Sequence, residues 1–291
     1  LHAALLLLAD SRLPAGGHAH SGGAEEAVRA GTVTGPDDLA RFLRGRLATA
    51  GLVAAALAAA ACELGSAAVD TSERVDGDAG TGEGDPAMLP WRRLDAEADA
   101  RTASPAQREA ARTQGRLLVR TARRIWPSPA LESLARAVPD GAHHPVALGA
   151  TAAAAGCDPG QAALAAAYWS VTGPATAAVR LLGLDPVAVH RLLADLAPSL
   201  GATARAARTA LHTWTADPGA PWTTNPDVPW TADPDDRRAS SPDIGRATDP
   251  DLIGVEFMSD ACWAALPATT APALDLLAES HLRAETRLFV S

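Results

Sequence analysis

An all-α fold, a single globular helical domain of about ten helices, follows from three features of the sequence. The first is composition: 47% of the 291 residues are hydrophobic but only 4% aromatic, and alanine is abundant. Alanine-rich chains with few β-branched runs favour close-packed helices. The second is punctuation. Proline follows a capping residue at Gly35-Pro36, Ser104-Pro105, Asp158-Pro159 and Asp185-Pro186, where its fixed φ and missing N–H suit the first helical position. The third is spacing: Leu39, Phe42, Leu43 and Leu47 mark one face of a helix.

In order along the chain, Leu1 to Ala9 is too short an apolar run to assign between helix and strand. Ser21 to Ala30 is predicted helical, with Ser21 as its N-cap and Gly31 as its stop. Pro36 opens the next helix, with Asp37 and Asp38 at the positive end of its dipole, and Gly51 is expected to break it. Leu52 to Leu64, nearly all Ala and Leu, should be buried on most sides. A helix is predicted over Trp91 to Arg101. Ser104-Pro105-Ala106-Gln107 reads as a capping box for a helix ending at Ile125 before Pro127. On it Arg108, Arg112, Arg116 and Arg120 step by four, followed by Arg123 and Arg124; a solvated face is favoured over a docking surface for an acidic partner. Short helices follow at Pro129 to Val138 and from His143-His144-Pro145 to Gly156. Asp158 caps a helix reaching Gly173, Pro174 to Leu182 continues it, and Asp185 caps another with Val189, Leu192, Leu193 and Leu196.

Two stretches break the pattern. Residues 66–90 interleave Gly with Asp and Glu; so little apolar surface cannot offset ordering entropy, and a disordered insertion is expected. Residues 214–250 carry Trp-Thr-x-x-Pro three times, at Trp214, Trp222 and Trp230, too proline-dense for a helix and too short a period for a solenoid. Deleting either stretch should leave helicity largely intact, as read by circular dichroism. Leu252 to Leu266 regains helix-like spacing before Pro267 and Pro272 interrupt.

The net charge of −9 argues against sequence-independent nucleic-acid binding, which needs a basic face. Cys62, Cys157 and Cys262 share no CxxC spacing, pointing to reduced thiols in a cytoplasmic protein rather than zinc ligands. The run Leu5–Leu8 is far short of the ~20 residues that span a bilayer, so no membrane association is expected.

The stretch with the most to say is Leu13–Glu26, LPAGGHAHSGGAEE. Pro14, Gly16, Gly17, Gly22 and Gly23 demand an irregular loop, which carries His18, His20, Ser21 and Glu25. This stretch resembles the N-terminal signature of the UreF family, the urease accessory proteins: Leu13, Pro14, Gly16, Gly17, Ser21, Gly23 and Glu25 match. His18 and His20 depart from it, standing where the family has aromatic residues. The end of the chain resembles the family C-terminus through Asp275, His281, Arg287, Leu288, Phe289 and Ser291, with Leu282 in place of Glu. The middle is similar too, with a His-Pro entry at His144 and Ala177, Ala178, Arg180 and Leu181 in an Ala-Ala-x-Arg-Leu pattern.

The resemblance implies a non-catalytic helical adaptor, homodimeric. It would bridge a UreD-type (UreH-type) accessory protein and the nickel-carrying GTPase UreG on apo-urease. Partner-binding residues would be Gly16, Gly17, His18, His20, Ser21, Glu25, Arg180, His281, Arg287, Leu288 and Phe289. No cofactor is implied, nickel being at most a transient passenger; His18 and His20 are the two metal-ligand candidates. Two rivals stand beside this reading: a metal-dependent enzyme built on His18, His20 and Glu25, and a helical interaction module unrelated to urease. Against catalysis, no nucleophile elbow, HExxH or P-loop occurs, and adjacent Glu25 and Glu26 should point to different faces of one helix. In the tail, residues 273–291, Leu274, Leu277 and His281 share a face. With the resemblance this favours a partner-docking tail, anchored by Phe289, over one that completes the core. Removing Arg287–Ser291 would then cost partner binding but little stability.

Overall fold

Alanine dictates the architecture. In a computed structural model that describes residues 3–10, 12–14, 20–72, 88–216, 266–284 and 288–289, every regular element is helical. These are α1 (Ala3–Ala9), α2 (Ala24–Arg29), α3 (Pro36–Arg46), α4 (Leu52–Ser72), α5 (Leu89–Ala100), α6 (Pro105–Ile125), α7 (Pro129–Ala137), α8 (His144–Ala154), α9 (Pro159–Leu182), α10 (Pro186–Asp195), α11 (Ala197–Ala216) and α12 (Pro272–Arg283). Helix α4 is the axis. It runs against α8 and α9, with α11, α7 and α5 around it. Ala55, Ala56 and Ala58 to Ala61 are all sealed from solvent. Methyl-sized side chains let the helix backbones approach closely. At Gly149 of α8 the approach is extreme: a Cβ there would lie 2.1 Å from the Ala58 carbonyl oxygen and 2.6 Å from the Ala61 Cβ.

The prolines mark helix starts as the sequence predicts. Asp158 and Gln161 form a complete capping box, and Asp185 accepts from the Val187 and Ala188 amides. The box at Ser104 is only half made. Ser104 Oγ accepts from the Gln107 amide, but the Gln107 side chain donates to Asp275 of α12. Glu279 of α12 takes the vacant role, accepting from Ser104 Oγ at 2.6 Å and from the Ala106 amide at 3.0 Å. The C-terminal helix therefore caps α6.

Several expectations need correction. Gly51 does not break the chain: a π-helical turn, Leu47–Gly51, joins α3 to α4 without interruption. Gly51 is buried there because α9 lies against it, with Ser170 Oγ 2.9 Å from where a Cβ would be. Residues 66–72 belong to α4 and Met88 to Pro90 open α5, with Met88 buried; the expected insertion otherwise lies outside the described residues, as do 217–265, which hold most of the Trp repeat. The continuation expected through Pro174, by contrast, is found: the proline sits inside one continuous α9. Proline cannot donate to the carbonyl four residues back, and Arg46 Nε supplies the missing hydrogen bond to Ser170 O at 2.8 Å. Arg112 is not a solvated stripe residue, being bound to Asp95 and Asp99.

The run Pro36–Ala68 is, among the described residues, the one helix long and apolar enough to cross a membrane, and 67% of its apolar window is buried inside the fold. Cys62 and Cys157 are buried free thiols, Cys62 Sγ donating to the Cys157 carbonyl at 3.3 Å. Burial pushes both thiols up from their ordinary value, so neither supplies a reactive thiolate at neutral pH.

Candidate functional site

The two end motifs meet. Gly22 and Gly23 take left-handed angles, φ 58° and 88°, which only glycine adopts freely. They turn the chain sharply into α2, so Gly23 rather than Ser21 is the N-cap. Ser21 is instead wholly buried, and its hydroxyl has no hydrogen-bond partner among the described residues.

From α2, Glu25 reaches a segment 263 residues away in sequence. Its two carboxylate oxygens accept the backbone amides of Leu288, at 2.5 Å, and Phe289, at 2.9 Å. His281 Nε2 lies 3.2 Å from the Phe289 carbonyl and 3.7 Å from the Glu25 carboxylate. A carbonyl only accepts, so this nitrogen carries the proton. The Phe289 ring is buried against Ala24, Ala177, Phe42 and Leu181, with the Arg180 guanidinium 4.9 Å above its centroid. Leu288 remains exposed.

Glu26 closes a second clasp beside the first. It is buried, accepts from Ser280 Oγ at 2.6 Å, and is gripped by both arms of Arg29. The Arg29 hydrogen bonds hold its carboxyl below the ordinary value against the opposing effect of burial. Adjacent glutamates therefore both serve the tail, one binding its helix and the other its last turn. Leu274 and His281 are buried against the same domain, so the tail is docked on its own chain.

Beneath the clasp a cleft of about 340 Å³ opens between α4, α6, α8, α9 and α12, with His20, Arg46, His143, His144 and Trp169 on its walls. Burial lowers the pKa of His20 and, with the neighbouring His20, brings His144 to about 4. His144 stacks obliquely on Trp169, ring centroids 5.7 Å apart. Burial also lowers His143, although the Asp99 carboxylate, 2.7 Å from its Nε2, works against that. Asp95 accepts the His143 amide at 2.8 Å, and Arg112 bridges Asp95 and Asp99 at 2.9 Å and 2.6 Å. This network pins the start of α8 to α5 and α6. Among the described residues no three His, Cys, Asp or Glu side chains converge as a metal-binding group.

A pH dependence follows. Unfolded, His144 protonates near its ordinary 6.5; folded, only near 4. Between those values the unfolded state binds more protons, so stability is full above pH 6.5 and falls as pH drops towards 4, by about 3 kcal/mol for this group. The melting temperature should decline through that window, and His144→Gln should flatten the decline. An equally steep decline in the variant would assign it to other groups.

Of the residues singled out in the sequence, the structure brings Glu25, His281, Leu288, Phe289 and Arg180 together, and places His20 in the cleft below. Gly16, Gly17, His18 and Arg287 lie outside the described residues. Sequence reasoning missed Glu26, Ser280 and Arg46. Only Arg46 left a trace: it is a charge on the apolar face defined by Leu39, Leu43 and Leu47.

A family model for UreF matches residues 33–197. The chain belongs to the UreF family. The urease accessory protein UreF of Mycobacterium sp. (strain JLS) is 48% identical over 203 residues, covering 70% of this chain and 83% of that protein. That of Mycobacterium marinum (strain ATCC BAA-535 / M) is 44% identical over 209 residues, 72% of this chain and 86% of the relative. The UreF of Mycobacterium tuberculosis (strain ATCC 25618 / H37Rv) is 44% identical over 187 residues, 64% and 76% of the two chains. The UreF family match spans the middle of the fold, from the approach to α3 to the start of α11. It is thus independent of the two end motifs that form the clasp.

Proposed function

We propose that the chain is a non-catalytic adaptor of urease maturation, acting in the cytoplasm as a homodimer. It bridges a UreD-type (UreH-type) accessory protein and a UreG-type GTPase on apo-urease, while nickel passes to the urease site and is held here at most transiently. The observation that carries this reading is the clasp. Two motifs from opposite ends of a UreF-family chain form one surface, with Leu288 and Arg180 exposed beside it. An exposed leucine next to a guanidinium stacked on an aromatic ring is a combination suited to a protein partner. The rival metalloenzyme is not favoured, because both Glu25 oxygens already accept tail amides.

The test is co-expression of the chain with the UreD-type protein, the UreG-type GTPase and apo-urease. All should co-purify, and omitting the chain should leave urease inactive. Full urease activation without it, or recovery of the GTPase with the UreD-type protein in its absence, would overturn the bridging role.

A further inference from the structure

Arg46 does more than its structural duties require. Its Nε caps the Ser170 carbonyl left open by Pro174, and its Nη1 donates to the Gly22 carbonyl at 2.9 Å. Among the described residues, its Nη2 has no acceptor and no carboxylate lies within ion-pair distance of the guanidinium. The side chain is half-buried and forms part of the cleft wall. A half-buried charge without a counter-charge is costly, because its lost hydration is not fully replaced. Neutral carbonyls satisfy its hydrogen bonds but leave the charge.

The rest of the cleft does not neutralise it. His20, His143 and His144 line the same space. Arg101 is paired with Glu97, and Asp275 accepts from Gln107. Glu109 lines the cleft but makes no ion pair with Arg46. The remaining wall is largely apolar, including Ala50, Val53, Ala54 and Leu57. Its volume of about 340 Å³ is at the small end of ligand pockets, roughly 300–1,000 Å³.

We propose that this cleft is a carboxylate-binding site in which the free edge of Arg46 receives a carboxylate carried on a short apolar stem. A single guanidinium edge matches one negative charge and two oxygens. A phosphate dianion would call for a second cationic group, and Arg101, the other arginine among the described residues of the lining, is already paired with Glu97. The carboxylate comes either from an acidic side chain of a partner protein or from a free small acid. The site does not depend on the adaptor reading, since it rests on Arg46 and the cleft alone.

Butyrate and butyramide are the probes: they share shape and differ in charge. Binding to the full chain is followed by nuclear magnetic resonance at constant ionic strength. Butyrate should bind saturably and at least tenfold more tightly than butyramide. Ala54→Phe fills the cleft without touching Arg46, and should abolish butyrate binding while leaving the helical spectrum unchanged. Arg46→Lys keeps the charge but loses the fork, and should weaken butyrate binding several-fold. Equal binding of the two probes, or undiminished butyrate binding by Ala54→Phe, overturns the proposal. Co-purification of the UreD-type protein and the UreG-type GTPase with Ala54→Phe then identifies the source. Loss of either supports a partner's acidic side chain, and retention of both supports a free acid. The probe measurement uses no urease component, so its failure leaves the adaptor reading standing.

Discussion

Replacing Gly149 by valine should leave no folded protein. Even the first added carbon would sit 2.1 Å from the Ala58 carbonyl oxygen and 2.9 Å from its carbon. Those are backbone atoms in the middle of α4, so no rotamer change relieves the clash. Either α8 or α4 must move, and α4 is in contact with most of the core helices. Overpacking in a close-packed interior typically costs about 1–3 kcal/mol when side chains can yield, and more when backbone must. Against a total stability of about 5–15 kcal/mol, a branched residue here should exceed what the fold can absorb. Gly149→Ala should already lower the melting temperature markedly. Circular dichroism and thermal melts of the two variants check this. A valine variant with the wild-type melt would mean that the two helices do not approach so closely.

Phe289→Ala should destabilise the protein by about 2–4 kcal/mol, because a buried ring is replaced by a small cavity. The sequence alone suggested that the tail could be lost at little cost to stability. The structure reverses that expectation, since Phe289 has a seat on its own chain between Ala24, Ala177 and Leu181. Glu25→Ala attacks the same contact from the other side, leaving two amides of the last turn without their acceptor, and should cost about 1–3 kcal/mol. The two effects should not add, because either change releases the same segment. Hydrogen exchange of the α12 amides and the melting temperature are the readouts, with urease activation in cells beside them. Unchanged α12 protection in Phe289→Ala would show that the ring contributes nothing to holding the tail.

Helix starts were legible because their chemistry is local. Ser104, Asp158 and Asp185 each precede a proline, and each cap is decided within four residues. The continuous passage from α3 through α4 was hidden, because Gly51 looks like a stop until α9 is seen packed on it. The continuation through Pro174 was legible but its support was not: the hydrogen bond that repairs its gap comes from Arg46, 124 residues away from Ser170. The site was legible in its membership but not in its bonding. The resemblance to the UreF family pointed to Glu25, His281 and Phe289. It could not show that a carboxylate near one end accepts amides near the other. Glu26 and Ser280 belong to no periodic pattern, so only the fold reveals that they pair.

The clasp also sets an order of events during synthesis. A chain is made from its N-terminus, and folding begins before it is complete. The inner helices α4, α8 and α9 can pack as soon as α9 has emerged. Glu25 is made early but finds its partners only when Leu288 and Phe289 leave the ribosome, and Glu26, already held by Arg29, waits for Ser280. Until then two carboxylates wait beside an empty aromatic seat. A message cut short, or a ribosome stalled late, would yield a molecule with packed inner helices, reduced stability and no finished surface. On the adaptor reading such a product would be silent rather than dominant, because it could not engage the machinery that its complete siblings serve.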